Sequence, residues 1–465
     1  MMTSPRHAPV PGLIFAAPAS GTGKTVVTLA FLRRLRDEGL RAAPFKVGPD
    51  YIDAAFHGAV SGRDCVNLDL WAMRPATLDA LIAGLSSETD LIVGEGVMGL
   101  FDDAGDGTGS TADLAALAGW PVVLVVDAGA MAASAAALVA GFVHHREDVA
   151  IAAVLFNRVA GSAHGEILRR ACAEAGLPPV LGCLPRDRRL ALAERHLGLV
   201  PAIEHRDLSL FADAASAAIG EHVDWPALRA LARPTADRFA AAMPAEDAGI
   251  ALPPLGQRIA VARDDAFAFA YPWVLDGWRR AGAEIMPFSP LADEAPDGAA
   301  DAVYLPGGYP ELHAGRLAAN GRFAAGMRRL AARHAVIYGE CGGYMAMGRV
   351  LIDAKGEAYS MLGLAPLETS FADRRLHLGY RRIVLRAEGP LGAVGAAFRG
   401  HEFHYATIID EPKGAPLFAC ADAAGRPRPP AGFADGAIMG SFIHLMDRDD
   451  EARNGGGAGD EAGGA

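Results

Sequence analysis

Pro18-Ala19-Ser20-Gly21-Thr22-Gly23-Lys24-Thr25 is the stretch on which the reading of this 465-residue chain turns. An apolar run, Gly12-Leu13-Ile14-Phe15-Ala16-Ala17, leads into it, and an amphipathic pattern from Val26 to Leu35 leads out. Strand, small-residue loop and helix in that order form the setting of a phosphate-binding P-loop. Small residues let backbone N–H groups turn toward phosphate oxygens, and the helix N-terminus adds partial positive charge. Gly21, Thr22, Gly23, Lys24 and Thr25 are therefore the expected nucleotide contacts. Lys24 would reach the β- and γ-phosphates, and the Thr25 hydroxyl would join a Mg²⁺ shell. Pro18 stands where the G-x-x-x-x-G-K-S/T pattern has glycine.

Working outward, apolar runs alternate with helical stretches at Leu13–Ala16, Ala42–Val47, Leu91–Val93, Val122–Val126, Ile151–Phe156 and Val180–Leu184. Near-continuous apolar strands separated by helices indicate a parallel sheet covered on both faces. Ligands of such sheets bind beyond the carboxyl ends of the strands, so the residues after each run carry the chemistry. They are Asp50-Tyr51-Ile52-Asp53 with His57 close behind, Glu95 with Asp102 and Asp103, then Asp127, then Asn157 and Arg158. Mg²⁺ on nucleotide phosphates takes one or two carboxylates besides the loop hydroxyl. Thr25, Asp50 and Glu95 are the expected metal ligands. Asp50, Asp53 and Asp127 have a structural alternative as helix or turn caps.

The net charge of −12 argues against nucleic acid or an anionic membrane as partner, since binding either rests largely on Lys and Arg. Five scattered cysteines with no C-x-x-C pair suit a reducing cytosol and give no zinc signature. The hydrophobic region Leu114–Val143 is interrupted by Pro121, Asp127 and Gly129, and reads as a buried strand plus an Ala-rich helix. The first eleven residues carry three prolines and no apolar core, so a secretory signal is not expected. A cytoplasmic protein is the expectation. Its length favours two domains. Prolines 226, 234, 244, 253 and 254 mark a linker over 226–257, between a first domain at 1–225 and a second at 258–448. The acidic, Gly-rich segment 449–465 reads as a disordered tail.

The second half opens a new alternating series, with strand candidates at Arg258–Ala262, Glu284–Pro287, Ala302–Leu305 and Val336–Tyr338. Val336-Ile337-Tyr338-Gly339-Glu340-Cys341-Gly342-Gly343-Tyr344-Met345 joins a strand to a helix through a Gly-flanked turn. That is the form of a nucleophile elbow. A helix N-terminus would lower the Cys341 pKa and raise its thiolate fraction. A base must stand beside it; His401, His404 and His444 are candidates that spacing does not separate. Backbone N–H groups of Leu305-Pro306-Gly307-Gly308-Tyr309-Pro310-Glu311 could line an oxyanion hole.

Together APASGTGKT, FKVGPDYIDAAFH, NLDLWAM, EGVMGLFDD, YLPGGYPE, YGECGGYMAMG, GHEFHYAT and GSFIH resemble the cobyrinic acid a,c-diamide synthase family, which includes the hydrogenobyrinic acid enzymes. The resemblance spans about Ala17 to His444. It implies an α/β fold in two parts: a P-loop domain similar to dethiobiotin synthetase, then a class I glutamine amidotransferase-like domain. It implies a ligase that amidates the a and c acetates of cobyrinic or hydrogenobyrinic acid, in cobalamin biosynthesis, with ATP, Mg²⁺ and L-glutamine. It also implies roles: Cys341 as nucleophile and His444 as its base, Lys24 and Thr25 on ATP–Mg²⁺; Asn157, after the fifth strand, is a further candidate for the nucleotide. Asp50, Tyr51, Ile52 and Asp53 would handle ATP and corrinoid, and Glu95 and Asp102 would be acidic positions of the synthetase site. A homodimer is compatible with this reading. Cobyric acid synthase and nickel-sirohydrochlorin a,c-diamide synthase share the architecture, and a MinD-type ATP switch shares the loop but has a lysine where Ala19 stands. Wider class I glutaminases place a carboxylate two residues after the histidine. Here Met446 occupies that place, so a Cys-His dyad is expected.

Overall fold

The computed structural model describes residues 9–192, 194–195, 198–199, 207–240, 250–411 and 416–450. The chain divides into two compact units, Met1–Trp71 with Leu78–Ala245, and Ala72–Thr77 with Glu246–Ala465.

In the first unit the apolar runs become β1 (Pro11–Ala16), β2 (Ala42–Val47), β3 (Val66–Leu68), β4 (Leu91–Glu95), β5 (Val122–Asp127), β6 (Ile151–Val159) and β7 (Val180–Pro185). Among the described residues they form a parallel sheet in the order β3-β2-β4-β1-β5-β6-β7. In β5 the residues Val122 to Val126 are all buried, as a strand covered on both faces requires. β1 lies between β4 and β5, so the chain winds to one side of β1 for β2 to β4 and to the other from β5 on. The crevice at that switch point is where the loop after β1 opens. Helix α1 (Lys24–Asp37) starts there and α2 (Tyr51–Ser61) follows β2. β3 was not legible as a strand, because three residues around the polar Asn67 make no apolar run.

Two boundaries differ from the sequence reading. Residues expected to be linker form a helix at Trp225–Ala230 and a short strand, Arg233–Pro234, antiparallel to β1. Pro226 falls in the first helical turn, where a missing N–H is harmless, so a proline that looked like a breaker starts an element. Asp449, expected in the tail, belongs to the second unit's packing. Asp449 is buried and paired with Arg399 at 3.0 Å; residues 451–465 lie outside the described set. Leu114–Val143 resolves into the end of a helix, β5 and the helix Ala135–His145. Among the described residues no helix is long and apolar enough to cross a membrane.

The second unit carries a sheet in the order Glu284–Phe288, Arg258–Ala262, Ala302–Leu305, Val336–Glu340, Ile438–Ser441, Phe433–Asp435, parallel except for the last strand. A second, antiparallel sheet runs through His377–Leu385, Ala397–His404 and Ile443–Arg448. Its strands mix Arg, His and Gly with apolar residues, which hid them from a hydrophobicity reading. Asp447 on the last strand has a fully buried side chain. Arg74, from the Ala72–Thr77 excursion, meets it with its backbone N–H at 2.8 Å and its Nε at 3.0 Å.

Candidate functional site

The first unit holds a nucleotide-binding loop. Gly23, at φ 99°, precedes α1 without any side-chain cap, so the first-turn amides of α1 are not taken by a capping side chain. A Cβ on Gly23 would stand 2.2 Å from Asn157 Nδ2, so only glycine fits. Asn157 Nδ2 itself donates to the Thr22 carbonyl at 2.8 Å and pins the loop from β6. Gly21 also takes a left-handed conformation, at φ 76°. Lys24 Nζ donates to the Met98 carbonyl at 2.6 Å and to the Ala19 carbonyl at 3.2 Å. Burial lowers its pKa, against the attraction of Glu95.

Behind the loop lies a buried ionic cluster. Thr25 Oγ1 donates to Glu95 Oε1 at 2.7 Å and lies 3.3 Å from Asp53 Oδ2. Lys46 Nζ bridges the same two carboxylates, at 2.7 Å to Asp53 and 2.8 Å to Glu95. His57 Nε2 sits 2.7 Å from the other oxygen of Glu95. Burial opposes charge on Lys46, but Asp53 and Glu95 outweigh it and hold its pKa above the ordinary value. Burial would raise Glu95, yet Lys46 and His57 prevail and keep it below the carboxylate range. Asp53 goes the other way: burial and the Asp50 charge push it up to about 8.

Asp50, expected as a metal ligand, is the N-cap of α2; its Oδ1 accepts from the amides of Ile52 at 2.8 Å and Asp53 at 3.1 Å. A helix beginning at Tyr51 claims the first aspartate for its own amides. Asp53, three residues on, is the one that meets Thr25. Tyr51 and Ile52 occupy the intervening first turn. Asp102 is exposed and closes a turn through the Gly99 amide at 2.6 Å. Asp127 receives the Gly129 amide at 2.8 Å and pairs with Arg158, the structural role open to it. Lys46 and His57 carried no role in the sequence reading. The signal for Lys46 was a charge inside an apolar run; for His57 it was an i,i+4 position on the Asp53 face of α2. Thr25, Asp53 and Glu95 offer the hard oxygen donors that Mg²⁺ prefers, with the Lys46 ammonium lying between the two carboxylates. Beside the loop, a groove of about 670 Å³ is bounded by Gly23, Asn157, Arg158, Pro185, Arg188 and Ala191.

The second unit holds the elbow. Val336–Glu340 ends at Cys341, whose φ of 46° and ψ of −104° fall in a strained region, and the helix Gly342–Met347 follows. Such a conformation costs a non-glycine residue about 1–3 kcal/mol and is typical of functional sites. The Cys341 amide donates to the Ser441 carbonyl at 2.8 Å and its carbonyl accepts from Met345 N at 3.0 Å, which fixes the turn. The glycine loop after Ala302–Leu305 links nucleophile and histidine. A Cβ on Gly342 would lie 2.8 Å from Gly308 N, and one on Gly307 would lie 2.4 Å from His444 Cε1.

His444 stacks on His401 at 5.0 Å and 11°, across adjacent strands. His401 Nε2 lies 3.0 Å from the Tyr271 hydroxyl, and burial followed by the charge of His444 holds its pKa well below the ordinary value. His404 is engaged elsewhere, with Nε2 at 2.9 Å from Glu402 and Nδ1 at 3.2 Å from the Ala406 carbonyl. Glu402 also binds Arg381 Nε at 2.9 Å. The thiol contradicts the helix-terminus expectation. Cys341 is 3% exposed, and burial, then Glu311, push its pKa far up, with only the Gly342 amide pulling down. One short helical turn does not offset desolvation beside carboxylates.

Sequence comparisons follow the same division. The family described as "CobQ/CobB/MinD/ParA nucleotide binding domain" matches residues 13–200, and that described as "CobB/CobQ-like glutamine amidotransferase domain" matches residues 258–452. The hydrogenobyrinate a,c-diamide synthase of Brucella anthropi is 53% identical over 438 residues, covering 94% of this chain and 98% of the relative. Those of Rhizobium meliloti and Rhodobacter capsulatus are each 51% identical over 440 residues, covering 94% of this chain and 99% and 98% of theirs.

Proposed function

The chain belongs to the hydrogenobyrinate a,c-diamide synthase family, and from that membership we propose that it amidates the a and c acetate carboxylates of hydrogenobyrinic acid, using ATP–Mg²⁺ and L-glutamine. The carrying observation is that a nucleotide loop and a strained cysteine elbow occur in one chain, each inside its own matched domain. A MinD-type switch accounts for the loop but leaves the elbow without work.

A carboxylate is inert to ammonia at neutral pH, so it needs activation. In this reading a substrate acetate oxygen attacks the γ-phosphorus, the bond to the β-phosphate oxygen breaks, and ADP leaves an acyl phosphate. Catalysis of such transfer is mostly positioning and electrostatics. Lys24 moves from its carbonyl partners to the phosphates, and the α1 amides hold the transferred group. Thr25, Asp53 and Glu95 would hold Mg²⁺, which supplies charge neutralisation at the phosphate oxygens. The groove beside Gly23 takes the nucleoside. Ammonia then attacks the acyl carbon and phosphate departs.

Nitrogen comes from the second unit. Cys341 Sγ gives its proton to His444 and bonds the glutamine amide carbon; the C–N bond breaks as His444 returns the proton and ammonia leaves. Water then releases glutamate from the thioester. Because burial holds the resting thiol protonated, deprotonation is coupled to attack rather than completed before glutamine arrives. Cys341→Ala tests the division of labour: it should abolish amidation from glutamine and leave amidation from high ammonia intact. Retained glutamine-dependent amidation would overturn the assignment.

A further inference from the structure

The chain lacks a carboxylate two residues after His444, yet one approaches that ring from elsewhere. Glu340 Oε2 lies 3.7 Å from His444 Nδ1, with both side chains almost wholly buried. We propose that Glu340, the residue directly before the nucleophile, is the positioning residue for His444, completing a Cys-His-Glu arrangement with a carboxylate from the nucleophile's own strand. The proposal rests on the reading of Cys341 and His444 as the glutaminase pair.

Three neutral donors hold this carboxylate in place. Tyr304 Oη donates to Oε2 at 2.7 Å, while Tyr338 Oη and the Leu445 amide donate to Oε1, each at 3.1 Å. The two tyrosine rings stack at 6.0 Å and 12°, and Trp278 packs edge-on against Tyr304. Two bonds thus come from the strands Ala302–Leu305 and Val336–Glu340, and the third from the residue after His444. Three donors and no acceptor suit an ionised carboxylate, which only accepts. A buried glutamate serving the Leu445 amide alone could as well be glutamine. The arrangement instead aims a negative charge at the imidazole.

That charge matters when Cys341 passes its proton to His444. The imidazolium forms in a dry site, where an anion close by stabilises it strongly and its orientation must be kept. His401 stacks on the ring with Tyr271 behind it, and the positive charge of Arg381 acts on His401. None of these supplies a resident negative charge.

The test compares glutaminase kinetics of the full chain with Glu340→Gln, Tyr338→Phe and Cys341→Ala, with ammonia-dependent amidation measured alongside. At 3.7 Å the contact is too long for a hydrogen bond, so Glu340→Gln should lower kcat about 100-fold, less than the ~10⁴-fold of a hydrogen-bonded orienting carboxylate. KM for glutamine should stay within about threefold and the ammonia-dependent rate should persist. The acid limb of the kcat/KM profile should move to lower pH, because the imidazolium becomes harder to form without the charge. Tyr338→Phe should give a smaller loss in the same direction. A Glu340→Gln kcat within about threefold of the parent overturns the proposal. If that variant loses ammonia-dependent amidation as well, Tyr338→Phe decides: an unchanged kcat and acid limb overturns it. Glutaminase activity surviving in Cys341→Ala would sink the underlying reading, whereas a dead Cys341→Ala beside a fully active Glu340→Gln refutes the positioning role alone.

Discussion

Lys46→Met probes the ionic cluster behind the nucleotide loop, and its effect can be worked from the distances. Lys46 Nζ lies 2.7 Å from Asp53 and 2.8 Å from Glu95 on a side chain 3% exposed. At that separation and an effective dielectric near 20, the contact with the charged Glu95 is worth roughly 6 kcal/mol before desolvation. Two terms reduce the loss. Methionine removes the burial penalty of the ammonium, and Asp53, already pushed up to about 8, can stay protonated at neutral pH. One buried carboxylate, Glu95, then loses its ammonium partner. Breaking such a pair costs about 3–5 kcal/mol. For a unit of this size that lowers the melting midpoint by about 6–20 °C. Scanning calorimetry at pH 7 reads it in the transition that responds to nucleotide. Mg²⁺ with ATP should raise the midpoint more in the variant than in the parent, because a cation then meets the stranded Glu95. A variant melting within about 2 °C of the parent would refute the reasoning.

Three further outcomes follow from the same geometry. The raised Asp53 value means that its stabilising share is full below the unfolded pKa of 3.8 and is lost as pH rises to about 8; nucleotide-free Asp53→Asn should melt with a flatter pH dependence over that window, and parallel curves would refute the assignment. Gly307→Ala puts a methyl about where His444 Cε1 stands, 2.4 Å away; glutaminase kcat should fall at least ~10-fold with ammonia-dependent amidation kept, since misplacement near 1 Å carries such penalties. An unchanged kcat would mean that the ring does not lie against the loop. Arg74→Met strands the buried Asp447 carboxylate, whose pKa burial already raises; the second unit should lose about 3 kcal/mol, and a guanidinium midpoint equal to the parent's would contradict the pairing.

The nucleotide loop was legible because its geometry is set by backbone: small residues, a left-handed Gly23 and a helix start need no distant partner. The cysteine elbow was legible for the same reason. What escaped depends on which neighbour a side chain meets. Asp50 and Asp53 are equivalent as residue types, and only the start of α2 at Tyr51 decides that the first caps and the second reaches Thr25. Lys46 sits in a strand that read as plainly apolar, and its meaning appears only when β2 and β4 pair Lys46 with Glu95. Glu340 is not legible beside His444 in the sequence, because the parallel pairing of Val336–Glu340 with Ile438–Ser441 brings the two together across the sheet. The thiol was misjudged because a helix terminus is visible in sequence and desolvation is not. Front-domain residues beyond 225 hid behind prolines that happen to start a helix and pair at an edge.

The most direct measurement gives the full chain hydrogenobyrinic acid, ATP, Mg²⁺ and glutamine labelled with heavy nitrogen in its side-chain amide, and counts labelled amides on the corrinoid by mass. Two labelled amides per ring, absent without ATP, is the predicted result. An unmodified ring, a label acquired without ATP, or a final count other than two would contradict the account.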